Sequence, residues 1–215
     1  MSRKILALTF DDGPAPDITL PILGLLRKYN AAASFFLVGE NITAETAPVL
    51  RSAAAQGCEL CAHSFSHRDM TQLSADEIRA EMLETERRIV SVVQKPPAFF
   101  RPPYIAVSRA MFDLIPLPFI EGYGVRDYDA AVTAEARIRG VLQKARDGGI
   151  ILLHDSAGNV KTVQALEQIL PALRREGFGF VTVSQLFAEK NVTPLPHTGI
   201  LYSYAEQTEP RAAGA

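Results

Sequence analysis

Along the chain, short apolar runs rich in β-branched and aromatic residues alternate with longer stretches in which apolar positions recur every three or four residues. The short runs at 4–10, 34–38, 59–62, 98–101, 119–125, 150–154 and 180–183 predict strands. Between them, Ile22, Leu25, Leu26 and Tyr29 fall on one helical face, and Ile78, Met82, Ile89 and Val93 on another. Ala134, Ile138, Val141, Leu142 and Ala145 repeat the pattern, as do Val163, Leu166, Leu170 and Leu173. Boundary chemistry agrees: Ser74 with Glu77 reads as a capping box, and Gly57, Gly148 and Gly177 follow helical stretches, the last behind Arg174 and Arg175.

About seven βα units without a break in composition imply an α/β fold with one parallel sheet, either open or closed into a barrel. Residues 1–190 read as one domain. The stretch 191–215, with three prolines and little periodicity, is expected to be an irregular tail. With 47% hydrophobic residues among 215, the chain can bury a substantial core.

Charge narrows the partners. A formal net charge of −2, with acids and bases interspersed, gives no basic surface for nucleic acid or an anionic membrane, and no window is apolar enough to span a bilayer. The first twelve residues hold only a short apolar run, 5–10, so no secretory signal is present in this sequence. A cytoplasmic location is therefore expected, or an extracellular one had an export segment been removed. Nothing in the pattern sets an oligomeric state. Cys58 and Cys61 lie three apart on one expected strand, about 10 Å apart on opposite faces, so they can neither form a disulfide nor share a metal.

In parallel architectures ligands sit beyond the carboxyl ends of the strands. Those ends carry Asp11-Asp12, the stretch "HSFSH" at 63–67, "RPPY" at 101–104 and "LLHD" at 152–155, and three of the four histidines, His63, His67 and His154, fall there. Taken singly, each has a plain structural reading: Asp-Asp-Gly-Pro is a turn, two histidines four apart arise by chance, and a His ending a strand is a satisfied structural residue. Two histidines so spaced would share a face on one helical turn. All four segments on one rim point instead to a site.

These segments resemble the polysaccharide deacetylase family, the NodB-homology carbohydrate esterases of family four. The motifs that carry the likeness are "TFDDGP" at 9–14, "HSFSH" for H-[ST]-x-x-H, "RPPY" for R-x-P-[YF] and "LLHD" for L-x-H, in the family's order. The resemblance implies a distorted (β/α)7 TIM-like barrel. It also implies a divalent metal, zinc in the first place with cobalt, nickel or iron(II) as alternatives, held by Asp12, His63 and His67. By the same resemblance Asp11 is the general base, oriented by Arg101, and the Tyr104 backbone N–H stabilises the oxyanion. His154 is the general acid, and Leu152 and Pro103 line the acetyl pocket. The expected partner is an N-acetylated saccharide, an N-acetylglucosamine oligomer or polymer, from which acetate is released.

One segment departs from the family pattern. Where D-x-x-D-W is expected, the chain reads "GVRDYDAAV": aligned without a gap, Arg126 replaces the first Asp and Ala130 the Trp, while a one-residue shift brings Asp127 into play. The chain has no Trp at all. This leaves an alternative open, a sugar-binding or regulatory protein with a retained metal site and weak or lost turnover.

Overall fold

A computed structural model describes residues 4–210. Strand β1 (Lys4–Asp11) is buried from Ile5 onward and lies at the centre of a parallel sheet. One edge pairs with β6 (Gly149–His154) from Leu6 to Asp11. The other edge is shared: β7 (Phe178–Val181) pairs with Lys4 to Ala7, and β2 (Ser34–Leu37) with Thr9 to Asp11. The sheet therefore splays around β1, which is the distortion of the barrel.

Closure runs from β2 to β3 (Glu59–Ala62), then through single bridges at Phe100 to β4 (Phe119–Ile120). Strand β4 pairs with β8 (Leu201–Tyr202), whose continuation reaches β6 through the Ile150 N–H to Ser203 carbonyl bond. The stretch expected as an irregular tail is thus only partly irregular, because it supplies this two-residue strand. The expected strand 119–125 is broken at Glu121-Gly122 into β4 and β5 (Tyr123–Gly124), and β5 pairs with β6. Residues 98–101 make only the bridge at Phe100.

Helices α1 (Pro16–Lys28), α2 (Ala47–Ala55), α3 (Ala75–Val93), α4 (Arg109–Leu114), α5 (Ala134–Lys144), α6 (Val160–Arg175) and α7 (Val183–Glu189) complete the fold. Ser74 and Glu77 form the expected capping box on α3. The layer between sheet and helices buries Leu6, Leu8, Phe10, Ile22, Leu26, Leu166 and Leu170. A second cluster holds Ile5, Ala7, Phe36, Ile150 and Phe187. Cys58 belongs to the first cluster and Cys61 to the second, as opposite faces of β3 require, and both are free thiols. Among the described residues no helix is long and apolar enough to cross a membrane.

Candidate active site

Asp11 ends β1 in register with His154 at the end of β6, so the two stand side by side on neighbouring strands. The chain then leaves the strand. Asp12 takes a left-handed conformation (φ 73°), which Asp tolerates better than most residues, while Asn41 Nδ2 donates to its carbonyl at 2.8 Å. Gly13 is required by space, because a Cβ there would lie 2.2 Å from Asp155 Oδ2. This turn sends the Asp11 carboxylate inward and the Asp12 carboxylate to the rim, so the two adjacent acids have different tasks.

His63 and His67 follow β3 in a loop rather than on a helical turn. Ser64 (φ 63°) and His67 (φ 56°) are both left-handed, and Ser64 Oγ accepts the His67 N–H at 3.1 Å. The loop thereby sets the two rings edge to face, with centroids 4.9 Å apart. His67 Nε2 lies 3.2 Å and His63 Nε2 3.5 Å from Asp12 Oδ1. His63 Nδ1–H donates to the Arg101 carbonyl at 2.7 Å, which leaves the Nε2 lone pair facing Asp12.

Asp12 Oδ1 is buried without a hydrogen-bond partner, and one ligand atom from each of the three side chains lies within 4.8 Å of the others. An orphaned carboxylate oxygen between two imidazole lone pairs fits a divalent cation, with three protein ligands and open positions left over.

Arg101 is fully buried and donates from Nη1 to Asp11 Oδ1 at 2.5 Å, its guanidinium lying over the Phe36 ring at 4.1 Å. Tyr104 is left-handed (φ 59°), and among the described residues its N–H meets no protein acceptor. Its ring is exposed and packs edge-on against His67, 4.8 Å between centroids.

The departed segment is resolved by Asp127, which the ungapped alignment passes over. Asp127 is fully buried. Its Oδ1 accepts His154 Nδ1–H at 2.8 Å, and its Oδ2 accepts the His154 backbone N–H and the Thr162 hydroxyl, each at 2.8 Å. Burial would lower the imidazole's pKa, but Asp127, aided by the charges of Asp11 and Asp12, pushes it up to about 9. Arg126 pairs with Asp129 at 3.0 Å and does not reach Arg101. The residue after Asp127 is Tyr128, whose exposed ring stands edge-on to His154 at 5.4 Å. Asp127 thus gives His154 the support that the ungapped alignment would have asked of position 126, as the one-residue shift allows, and Tyr128 is the aromatic that stands beside the acid where Ala130 had taken the place of the Trp.

These groups open onto a cleft of about 560 Å³ lined by Asp11, Asp12, His63, His67, Tyr128 and His154, with Leu152 and Tyr104 on its walls. Pro103, expected on the acetyl pocket, is buried and absent from the cleft lining, to which Pro102 contributes instead. Glu121 and Arg126 also line it and were not anticipated. A neighbouring cavity of about 440 Å³, containing Ala130, Asn159 and Lys161, shares Tyr128 with the cleft.

A parallel barrel with a two-histidine, one-carboxylate cation site flanked by a paired Asp and a paired His defines the class: a hydrolase-type site open to a surface cleft. Residues 1–115 match the polysaccharide deacetylase family model, and the chain belongs to that family. It is 45% identical over 193 residues to a bifunctional xylanase/deacetylase of Pseudobutyrivibrio xylanivorans, covering 90% of this chain but only 32% of that protein. It is 33% identical to a peptidoglycan-N-acetylglucosamine deacetylase of Bacillus cereus, covering 88% of this chain and 91% of that one. Among solved structures, a family 4 acetyl xylan esterase from Clostridium thermocellum, in complex with a cobalt ion, superposes with a TM-score of 0.92 at 37% identity, over 95% of this chain and 100% of that one. The chain thus spans about a third of the length of the first of these relatives.

Proposed function

We propose that the chain is a metal-dependent deacetylase that hydrolyses acetyl groups from a saccharide and releases acetate. The observation that carries this reading is that Asp11 and His154 end neighbouring strands as register partners beside the Asp12, His63 and His67 cluster. A divalent cation bound there supplies Lewis-acid polarisation of a carbonyl and acidifies water, and two imidazoles with a carboxylate suit zinc.

The side chains divide the remaining work. Asp11, held by Arg101, takes a proton from the attacking water as its oxygen bonds to the acetyl carbon. The free Tyr104 N–H donates to the acetyl oxygen as charge develops on it. His154, protonated and fixed through Nδ1 by Asp127, gives its Nε2 proton to the leaving oxygen or nitrogen as the bond to the acetyl carbon breaks. Leu152 packs against the methyl group. Acetate and the free sugar hydroxyl or amine are the products, and Asp11 and His154 then return to their starting protonation through solvent.

For substrate, the relatives named for xylan, at 45% and 37% identity, stand nearer than the peptidoglycan deacetylase at 33%, which supports O-acetylated xylan as the first choice. A second reading, an N-acetylated saccharide, is favoured by the high His154 pKa, because an amine must be protonated to leave whereas an alkoxide leaves more readily. Acetate release from acetylated xylooligosaccharides, chitooligosaccharides and peptidoglycan, measured on chelator-stripped protein reloaded with Zn²⁺ or Co²⁺, tests both. Metal-restored release, fastest on the xylan oligomers, is expected. Fastest release on an N-acetylated substrate would select the second reading, and none on any substrate would leave a sugar-binding protein.

A further inference from the structure

The loop carrying both histidines raises a question that the metal site does not answer. Ser64 and His67 hold left-handed conformations that cost non-glycine residues about 1 kcal/mol or more apiece, and something must over-determine them. From one side, the Gly39 and Glu40 N–H groups donate to the Ser64 and Phe65 carbonyls at 3.0 and 2.9 Å. From the other side, where Arg88 of α3 also covers the Phe65 ring, the backbone is held by Glu81, in the second turn of that helix and only 5% exposed.

Its carboxylate is used on both oxygens. Oε2 accepts the backbone N–H groups of Phe65 and Ser66, each at 2.8 Å. Oε1 accepts the Ser66 hydroxyl at 2.6 Å and Arg68 Nη2 at 3.2 Å. Thr85 Oγ1 in turn donates to the Glu81 carbonyl at 2.7 Å, one turn along the same helix. Burial alone would raise this carboxyl, but the Ser66 and Phe65 donors hold it below the usual range, so it stays ionised.

We propose that Glu81 is a positioning residue for the cation site: by gripping the Phe65 and Ser66 backbone between the two ligands, it fixes the spacing at which His63 and His67 present Nε2 to Asp12. It touches neither imidazole, and it acts only through the loop. A neutral glutamine weakens the grip: its one amide oxygen can still accept from the Phe65 and Ser66 backbone, but without the negative charge, and its amide nitrogen faces Arg68 Nη2, a donor, where an acceptor is needed. The inference rests on the metal-site reading above.

The test is calorimetric titration of chelator-stripped protein with Zn²⁺, together with the visible spectrum of the Co²⁺ form, at a temperature where thermal melts show every variant folded. Outer partners of metal ligands are worth about 10–100-fold in affinity, so E81Q should raise the Zn²⁺ Kd by that factor and change the Co²⁺ bands. Asp76, which lies in the first turn of the same helix and pairs with Arg79 rather than with the loop, is the control for a merely structural effect: D76A should lower Tm and leave Kd and spectrum unchanged. Should E81Q not fold, S66A removes one of the Glu81 bonds at a half-exposed site and should raise Kd about three- to tenfold, the net worth of one ordinary hydrogen bond. An E81Q or S66A protein that binds Zn²⁺ as tightly as the parent, with the same Co²⁺ spectrum, overturns the proposal. A parent protein that binds neither metal overturns the metal-site reading instead.

Discussion

The two sides of the cleft hold their key groups in opposite ways. On one side the Asp11 carboxylate accepts one side-chain hydrogen bond, from Arg101, whose Nε and Nη2 are buried without acceptors, while its other oxygen lies 3.8 Å from His63 Nε2. On the other, every bond offered to Asp127 is part of a closed set: the His154 ring, the His154 backbone and the Thr162 hydroxyl. A buried ion pair with unmet donors contributes little net stability, yet breaking it leaves an uncompensated charge. A saturated buried network holds its members by several mutually polarised bonds, which rigidify it. The base is therefore fixed by one hydrogen bond that tolerates no change, whereas the acid is tuned by several that share the task.

The harshest way to break this contrast is D11N. It removes the proton acceptor and leaves Arg101 buried without its counter-charge. Activity should fall about 10²- to 10⁴-fold, and stability by about 3–5 kcal/mol, as for other severed buried pairs. Metal titration should still reach the same stoichiometry. Turnover near the parent's would mean that another group accepts the proton.

On the acid side D127N should do less at neutral pH and more at alkaline pH. The amide keeps the shape but removes the charge that lifts His154 to about 9, so the alkaline limb of the rate profile should move down by a pH unit or more, with a loss of about 10- to 100-fold at pH 8. Stability follows the same linkage. The folded pKa lies above the unfolded value of about 6.5, so the stabilising contribution is complete below pH 6.5 and is lost as pH rises through 9. Denaturant melts across that window should slope downward for the parent and stay flatter for D127N. An unshifted alkaline limb would mean that Asp127 does not control the group that limits the rate.

The same two sides differ in how far the sequence reveals them. Asp11, Asp12, His63, His67 and Arg101 sit at strand ends that hydrophobic runs delimit, and short motifs fix their spacing. Asp127 came into play only through a one-residue shift, because the ungapped alignment sets Arg126 at the first Asp of the motif; the backbone is left-handed at Arg126 (φ 56°), and it is Asp127 that is buried against His154. Glu81 carries no motif at all, since its role depends on where α3 packs. Strand β8 is two residues long, too short for any period to register, and exists only because β4 and β6 leave an edge for it to fill. That Pro102 rather than Pro103 lines the cleft depends on the backbone of the turn, which no pattern of apolar residues encodes.

The smallest effect expected is the most informative about substrate fit. Ala130, where an ungapped alignment sets the missing Trp, lies in the neighbouring cavity rather than the cleft, and Phe119, the other aromatic that could replace it, is buried against Phe100 and Phe112. Tyr128 alone of these lines the cleft, with its ring edge-on to His154. It should therefore do the Trp's part in bounding the acyl group, while its exposed face is free to meet a sugar ring. Y128A should raise KM for an acetylated oligosaccharide about three- to tenfold, the worth of one aromatic contact, and reduce the preference for acetyl over propionyl esters by a similar factor. Y128W should preserve or sharpen that preference, because the larger ring covers the same wall. Parallel kcat/KM measurements on acetyl and propionyl esters of one sugar decide it: an unchanged ratio in Y128A would place the acyl wall elsewhere, on Leu152 and Tyr104 across the cleft.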